Sequence, residues 1–268
     1  MTNAFVPPCG VTGTAFITGG ASGIGKTVAS TYAQNGIKGL ALVDVNITSL
    51  RTVQTELSQQ YPDIHVEIFP ADVSDEEKIA AAVQSAAEKF GRIDISVHGA
   101  GITGAVCPTH QCPLAEWQRV IDINQTGVML SDKWMVAQML TQELRPGYEG
   151  RGIIVNIASV LGISTPDARL PIIAYTASKH AVVGITQHDG KLYAKEGIRI
   201  NAICPGYVDT PLIHDSLVSD HLSFEIARTA LGRPAQAEEI ANAVLFLTSQ
   251  MGSYMCAGAL VVDGGYTA

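Results

Sequence analysis

Short apolar runs alternate with longer amphipathic stretches along nearly the whole chain, the pattern left by strands exchanging with helices. The first run, Thr14 to Thr18, leads straight into Gly19-Gly20-Ala21-Ser22-Gly23-Ile24-Gly25, and Lys26 to Gln34 then has helical character. A second strand is expected over Gly39 to Val43, then a helix from about Ile47 to Tyr61, a strand over His65 to Phe69 and a helix over Asp75 to Phe90. Next come a strand at Ile95 to His98, one long helical stretch from Leu114 to about Leu144, and strands at Gly152 to Ile157, Arg199 to Cys204 and Ala259 to Val262, seven strands in all. These runs are rich in Ile and Val, as strands are when both faces of a parallel sheet are covered. The pattern predicts an α/β chain, a doubly wound parallel sheet of seven strands with helices on both faces, in a single domain over residues 1–268.

Composition agrees with that picture and narrows the partners. A chain of 268 residues, 47% hydrophobic and 16% charged, can bury a large core. A net charge of −8 without any run of Lys or Arg argues against nucleic acid and leaves small molecules as the expected partners. No stretch reaches the roughly 18 uninterrupted apolar residues of a membrane span, and Met1 to Gly10 has neither the basic residue nor the apolar core of a signal peptide. The scattered cysteines Cys9, Cys107, Cys112, Cys204 and Cys256 are odd in number and make no disulfide framework, so a reducing, cytoplasmic location is expected.

Three features carry candidate chemistry. Glycines at 19, 23 and 25, between a strand and a helix, let the backbone turn tightly and present free N–H groups to a pyrophosphate. The spacing is Gly-x-x-x-Gly-x-Gly, not the commoner Gly-x-Gly-x-x-Gly, and a plain flexible turn is the blander reading. Asp44 closes the second strand, 19 residues beyond Gly25, where a carboxylate would accept hydrogen bonds from a ribose diol and repel a 2'-phosphate. That favours NAD over NADP; alternatively Asp44 caps the following helix, and Lys26 or Arg51 could meet a phosphate. Tyr175 and Lys179 stand one helical turn apart. An ammonium about 4 Å from a phenol favours the phenolate by roughly 4 kcal/mol at an effective dielectric near 20, before desolvation.

Thr18-Gly19 with Gly23 and Gly25, Asp72-Val73, Gly99-Ala100-Gly101, Asn124, Ser159, Tyr175 with Lys179, and Pro205-Gly206 with Thr210 occur in the order found in one family. Over essentially its full length the chain resembles the compact, single-domain short-chain dehydrogenases/reductases, whose fold is of the Rossmann type. The resemblance implies a catalytic set of Asn124, Ser159, Tyr175 and Lys179. It implies that Tyr175 exchanges a proton with the substrate oxygen, that Ser159 holds that oxygen, and that Lys179 lowers the tyrosine pKa and binds the nicotinamide ribose. Asn124 would hold a water linking Lys179 to solvent. The implied cofactor-binding set is Gly19, Ser22, Gly23, Ile24, Gly25, Asp44, Asp72, Val73, Ala100, Gly101, Tyr175, Lys179, Pro205, Gly206, Val208 and Thr210, with no metal.

Two departures from the family pattern stand out. His98 and Gly99 replace two asparagines of the Asn-Asn-Ala-Gly motif, so the support those amides give the sheet must be reorganised. The 16 residues from Ser159 to Tyr175 exceed the usual spacing, and the extra length falls in Ile163 to Leu170, a loop expected to shape specificity. Residues 207–228 are expected to form an amphipathic lid over an apolar substrate, with a surface helix pair as the alternative. Cys107-x-x-His110-x-Cys112 offers zinc-type ligands but too few of them, and reads as a substrate-side loop. Cys204 reads as a core thiol, and His180 and His188 as residues facing solvent or a subunit neighbour. The helices Leu114 to Leu144 and Tyr175 to Ala194 build subunit interfaces in the family, which implies a homotetramer or homodimer.

The activity so expected is hydride transfer between NAD(H) and a hydrophobic, possibly cyclic, secondary alcohol or ketone, with oxidation the favoured direction. The alternatives are an NADP-dependent carbonyl reductase and a non-redox cyclase or cofactor-binding protein on the same fold.

Overall fold

A computed structural model of the chain describes residues 9–145, 150–218 and 221–268; most of the Met1 to Gly10 segment read above lies outside them, as do residues 219–220 of the expected lid. Nine strands and nine α-helices occur among the described residues. Strands β1 (Thr14–Thr18), β2 (Gly39–Asp44), β3 (His65–Pro70), β4 (Ile95–His98), β5 (Gly152–Ile157), β6 (Ile198–Pro205) and β9 (Ala259–Val262) form one sheet in the order β3-β2-β1-β4-β5-β6-β9. All its pairings are parallel. The seven expected strands are therefore this sheet. Two very short strands, β7 (Val208–Asp209) and β8 (Ala235–Gln236), pair separately and raise the total above the expected seven. Two residues leave no room for an alternating pattern, which is why the sequence gives no sign of them.

Helices α1 (Gly23–Gln34), α2 (Ile47–Gln60), α3 (Glu76–Phe90), α4 (Leu114–Ile121), α5 (Gly127–Leu140), α6 (Ile173–Tyr193), α7 (His214–Val218), α8 (Ser223–Ile226) and α9 (Ala237–Thr248) complete the fold. Both faces of the sheet are covered, and side-chain alternation divides the core accordingly. Ile17, Leu40 and Leu42 pack with Val28 and Tyr32 of α1 and with Ile240 and Val244 of α9. Their neighbours Phe16, Ala41 and Val43 point the other way, onto Ile79 and Val83 of α3 and Met135 and Met139 of α5.

The stretch expected as one helix from Leu114 to Leu144 is not continuous. A wide i→i+5 turn over Asp122–Thr126 separates α4 from α5, with Gly127 N–H donating to the Asp122 carbonyl. Gly127 is required there because a Cβ would lie 2.6 Å from Val73 Cγ2. Helix α5 stops at Leu140 because Gln142 turns inward and continues the sheet with its side chain. Its Oε1 accepts from Ile93 N (2.8 Å), and its Nε2 donates to Ile93 O (3.0 Å) and Arg151 O (2.9 Å). At the other boundary, α1 begins at Gly23, inside the glycine loop, three residues before the expected Lys26.

The connections from β1 and β4 leave to opposite sides, so the strand order reverses between these neighbours. A crevice opens at their C-terminal ends, the position where open parallel sheets bind ligands. No helix among the described residues is long and apolar enough to cross a membrane.

Candidate active site

The glycine loop runs along this crevice in close contact with the end of β4. Gly19 has φ +69°, and a Cβ there would lie 2.8 Å from Ala100 N. A Cβ at Gly25 would overlap the Gly19 carbonyl oxygen. Thr18 Oγ1 accepts from Gly99 N (3.1 Å) and Ala100 N (3.4 Å), fixing the two loops to each other. Ser22 is the N-cap residue of α1 and uses no side-chain cap, so it leaves the helix start open. Gly23, with φ +50°, brings the loop near Thr210, whose Cβ lies 3.5 Å from a Cβ built at the glycine. This is a backbone cradle without side chains in the way, and it fits a pyrophosphate.

Asp44 stands at the end of β2, beside the same loop. Its Oδ2 accepts from Ala21 N (3.3 Å) and its Oδ1 from Asn46 N (3.0 Å). The cap of α2 is Asn46, whose side chain accepts from Ser49 N (3.0 Å), so the capping alternative for Asp44 does not hold. Lys26, one of the two cations considered for a phosphate, pairs with Glu56 at 2.7 Å. Further along the edge, Asp72 Oδ1 accepts from Ser74 N and Oγ (2.9 and 2.7 Å), and Val73 is buried against Gly127.

Ser159 follows β5, Tyr175 and Lys179 share one face of α6, and Asn124 lies in the wide turn before α5. Asn124 is fully buried and grips the loop after β4: its Oδ1 accepts from Ile102 N and its Nδ2 donates to Ile102 O, both at 2.9 Å. The same Nδ2 reaches Ser178 Oγ at 3.2 Å. Lys179 Nζ donates to the Ile157 carbonyl (2.7 Å) and lies 5.6 Å from the centre of the Tyr175 ring. Gly101 closes the group, since a Cβ there would lie 3.3 Å from Asn124 Oδ1 and 3.7 Å from Lys179 Nζ.

The electrostatics correct one expectation. Burial raises the Tyr175 phenol above its ordinary value, with the Ser159 hydroxyl pulling it partly back, and burial lowers Lys179 to about 8. Lys179 has its carbonyl partner and stands off the ring centre, so desolvation outweighs the lowering of the tyrosine that charge attraction alone predicts.

A cavity of about 190 Å³ opens over these groups. Ser159, Tyr175, Lys179 and Gly101 line it, together with Ile24, Pro205, Gly206, Val208 and Thr210, residues the resemblance assigns to cofactor binding. Apolar side chains, Val160, Leu161, Leu170, Ile172 and Leu222 among them, cover much of the remainder, where Thr103, Tyr207 and Ser216 are the other polar residues. The other expected cofactor residues, Gly19, Ser22, Gly23, Gly25, Asp44, Asp72, Val73 and Ala100, do not line this cavity. A larger cavity of about 830 Å³ around Arg92, Asp94, Arg151 and Arg199 lies at the opposite end of the strands, and no motif residue lines it.

The expected lid contains two short helices, α7 and α8, and is fastened to the extended loop. Glu225, fully buried on α8, accepts from Asp167 N through Oε1 and from the Tyr266 hydroxyl through Oε2, both at 2.6 Å. Arg169 stacks 4.2 Å above the Phe224 ring. The extended loop and the 207–228 segment thus both contribute to the cavity lining, with Leu170 from the one and Leu212, Ile213 and Leu222 from the other. Glu225, Tyr266 and the cavity-lining Tyr207 were not found by sequence reasoning. The available signal was an acid in an otherwise apolar lid helix, and a tyrosine directly after Pro205-Gly206.

His98 shows how the missing asparagines are replaced. It is 1% exposed, and its Nε2 meets Ser96 Oγ at 2.7 Å. Its Nδ1 lies 3.0 Å from Asn156 Oδ1, an acceptor, and 3.0 Å from Asp132 Oδ1, so Nδ1 carries the proton. The aligned hydrogen bond goes to Asn156, and the Asp132 contact is electrostatic. Asn156 Nδ2 in turn donates to Asp132 Oδ2 and Thr186 Oγ1, both at 3.0 Å. One buried network therefore ties β4, β5, α5 and α6, the elements that hold Gly101, Ser159, Asn124, Tyr175 and Lys179.

The remaining candidates fall outside the chemistry. No group of three or more His, Cys, Asp or Glu able to hold a metal occurs among the described residues. Cys204 is buried, with its thiol pushed up to about 11 by burial. His180 bonds back to Thr176 O (2.9 Å), and His188 pairs with Asp189 (2.7 Å); both are exposed.

The chain belongs to the short-chain dehydrogenase/reductase family: a family model described as enoyl-(acyl carrier protein) reductase matches residues 19–267. Among similar proteins, levodione reductase of Leifsonia aquatica is 38% identical, over 94% of this chain and 93% of its own. Cis-4-hydroxycyclohexanecarboxylate dehydrogenase of Sinomonas cyclohexanicum is 37% identical, over 95% and 96% respectively. The crystal structure of levodione reductase superimposes with a TM-score of 0.86 at 36% identity, covering 94% of this chain and 96% of that one.

Proposed function

We propose that the chain is an NAD-dependent oxidoreductase interconverting a small, hydrophobic, cyclic secondary alcohol and its ketone. The observation that carries this reading is the convergence of Ser159, Tyr175 and Lys179 on one largely apolar cavity whose other edge is Gly206 and Thr210. Three relatives point to the substrate class, being named for levodione, cis-4-hydroxycyclohexanecarboxylate and cyclohexanol. The nicotinamide, when bound, supplies the hydride chemistry. Tyr175 exchanges the proton with the substrate oxygen, and Ser159 holds that oxygen as charge develops on it. Lys179 orients the ribose and stands by the tyrosine, while Asn124 keeps the loop carrying Gly101 and Ile102 in place.

Asp44 supports NAD as the cofactor, because its carboxylate lies at the tip of β2 beside the glycine loop and the nearby Lys26 is committed to Glu56. Asp44→Ala is expected to weaken NADH binding and to narrow the preference over NADPH by about tenfold, roughly 1.4 kcal/mol, in parallel fluorescence titrations. An unchanged ratio of the two affinities would refute the ribose assignment.

The pH dependence has a definite sign. With Tyr175 raised and Lys179 lowered to about 8, the pair releases its next proton in the alkaline range. Alcohol oxidation, which needs Tyr175 without its proton, is expected to rise with pH across the alkaline range, and ketone reduction to fall there. Ser159→Ala removes the influence that lowers Tyr175 and should move the oxidative limb to higher pH. A flat oxidation profile between about pH 7 and 9 would contradict this assignment.

We place the enzyme in the cytoplasm as a homotetramer or homodimer. Apolar side chains exposed on α4, α5 and α6, Leu114 (78%), Met129 (40%), Leu140 (41%) and Leu192 (56%), support an interface there.

A further inference from the structure

The extended loop grips two consecutive residues of α8, Phe224 and Glu225. Glu225 is fully buried, and a carboxylate taken out of water is costly unless donors surround it. Three do: Asp167 N and the Tyr266 hydroxyl, each at 2.6 Å, and Arg228 Nη1 at 3.3 Å. Beside it, the Phe224 ring is covered by Arg169, whose Nε and Nη2 donate to the Asp167 carboxylate (2.8 and 3.2 Å). Asp167 and Arg169 both belong to Ile163 to Leu170, where the extra length of this chain falls. We propose that this clasp sets the size of substrate the cavity accepts: Glu225 is a positioning residue that fixes Leu170 and Leu222 in the cavity wall and so limits the substrate to a single ring. The inference rests on the reading of the cavity as the substrate site.

The clasp lies one turn from the wall on both sides. Leu170 N donates to the Asp167 carbonyl (2.9 Å), so the turn whose N–H group Glu225 holds is the turn that brings Leu170 to the cavity. On the lid, the Leu222 carbonyl accepts from Glu225 N (3.0 Å) and Ile226 N (2.9 Å), which puts Leu222 and Glu225 in one helical turn. The third segment reaches the same place, since Tyr266 is buried with Val160, Leu161 and Ile172 in the cluster on which Leu170 and Tyr175 also pack. Lys179 and Asn124 are held by other contacts, to the Ile157 carbonyl and to Ile102. Loosening the clasp therefore frees the apolar wall and leaves these two groups in place. The volume of about 190 Å³ is below the roughly 300–1,000 Å³ of pockets for drug-sized ligands, which suits a single ring.

The test measures kcat and KM for cyclohexanol and for the two-ring alcohol decahydro-2-naphthol, with NAD present, on wild type, Glu225→Ala and Arg169→Ala, each with a melting curve to show that it is folded. Wild type should favour cyclohexanol by about tenfold or more in kcat/KM, and Glu225→Ala should cut that preference by about tenfold, the scale of effect that apolar pocket contacts supply. The loss on cyclohexanol should fall on KM, with kcat within about threefold of wild type, as when binding is lost and chemistry is kept. Should Glu225→Ala fail to fold, Arg169→Ala decides in its place: its side chain is 64% exposed, and losing the stack on Phe224 should cut the preference by about threefold, in keeping with an exposed cation–π contact. No preference in the wild type, an unchanged preference in the deciding variant, or a loss confined to kcat would overturn the proposal. If neither alcohol is oxidised, the proposed reaction fails for this substrate class, and the same preference taken from dissociation constants, by ligand-observed NMR titration, decides the clasp alone. Binding of neither alcohol would overturn both readings.

Discussion

Tyr175→Phe is expected to lower turnover by about 10²–10⁴-fold, the range a positioned acid–base group contributes. The ring volume is kept, so the surrounding packing with Val160, Leu161 and Ile172 survives. Lys179 remains held by the Ile157 carbonyl, and Ser159 remains at the end of β5, so the variant removes the proton-exchanging oxygen without dismantling the site. Cofactor affinity should change by no more than the loss of one hydrogen bond, about tenfold or less. Steady-state rates and a cofactor titration on the same preparation separate these effects. Undiminished turnover would remove Tyr175 from the mechanism.

The second large effect concerns stability. His98→Ala leaves the buried Asp132 carboxylate with its hydrogen bond from Asn156 Nδ2 and without the imidazole, and opens a cavity where the ring was. Removing one member of a buried charged network costs about 3–5 kcal/mol. At about 2–4 °C per kcal/mol for a large domain, melting should fall by roughly 10 °C. His98→Asn returns an amide to the position and should recover part of the loss. Because the network spans β4, β5, α5 and α6, the alanine variant should also weaken the site held by those elements. Melting within about 2 °C of wild type would show that the network contributes little.

Much of this architecture is legible in the sequence, and the reasons differ by element. The seven-stranded sheet follows from runs such as Thr14 to Thr18 and Gly152 to Ile157, where both faces are apolar. The pairing of Tyr175 with Lys179 follows from spacing, since residues four apart fall on one helical face whatever the tertiary context, whereas Asn124 and Ser159 were legible only through the family resemblance. The break at Asp122–Thr126 was hidden because it preserves the local helical composition and depends on Val73 pressing against Gly127, residues distant in sequence. The end of α5 depends on Gln142 finding Ile93, again a tertiary contact. His98 was visible as a departure from the family pattern, but its partners Asp132 and Asn156 come from other elements. The raised Tyr175 pKa was likewise out of reach, since spacing reports the approach of Lys179 and says nothing of burial.

The most direct test of the central claim follows the hydride itself. Cyclic secondary alcohols carrying deuterium on the carbinol carbon are incubated with the protein and oxidised nicotinamide dinucleotide, and the reduced cofactor is isolated and weighed by mass spectrometry. The account predicts one deuterium transferred per turnover, with NAD used in preference to NADP and transfer lost in Tyr175→Phe. Cofactor without label across the whole panel, from protein that binds it, would contradict the assignment of this chain as an alcohol-oxidising enzyme.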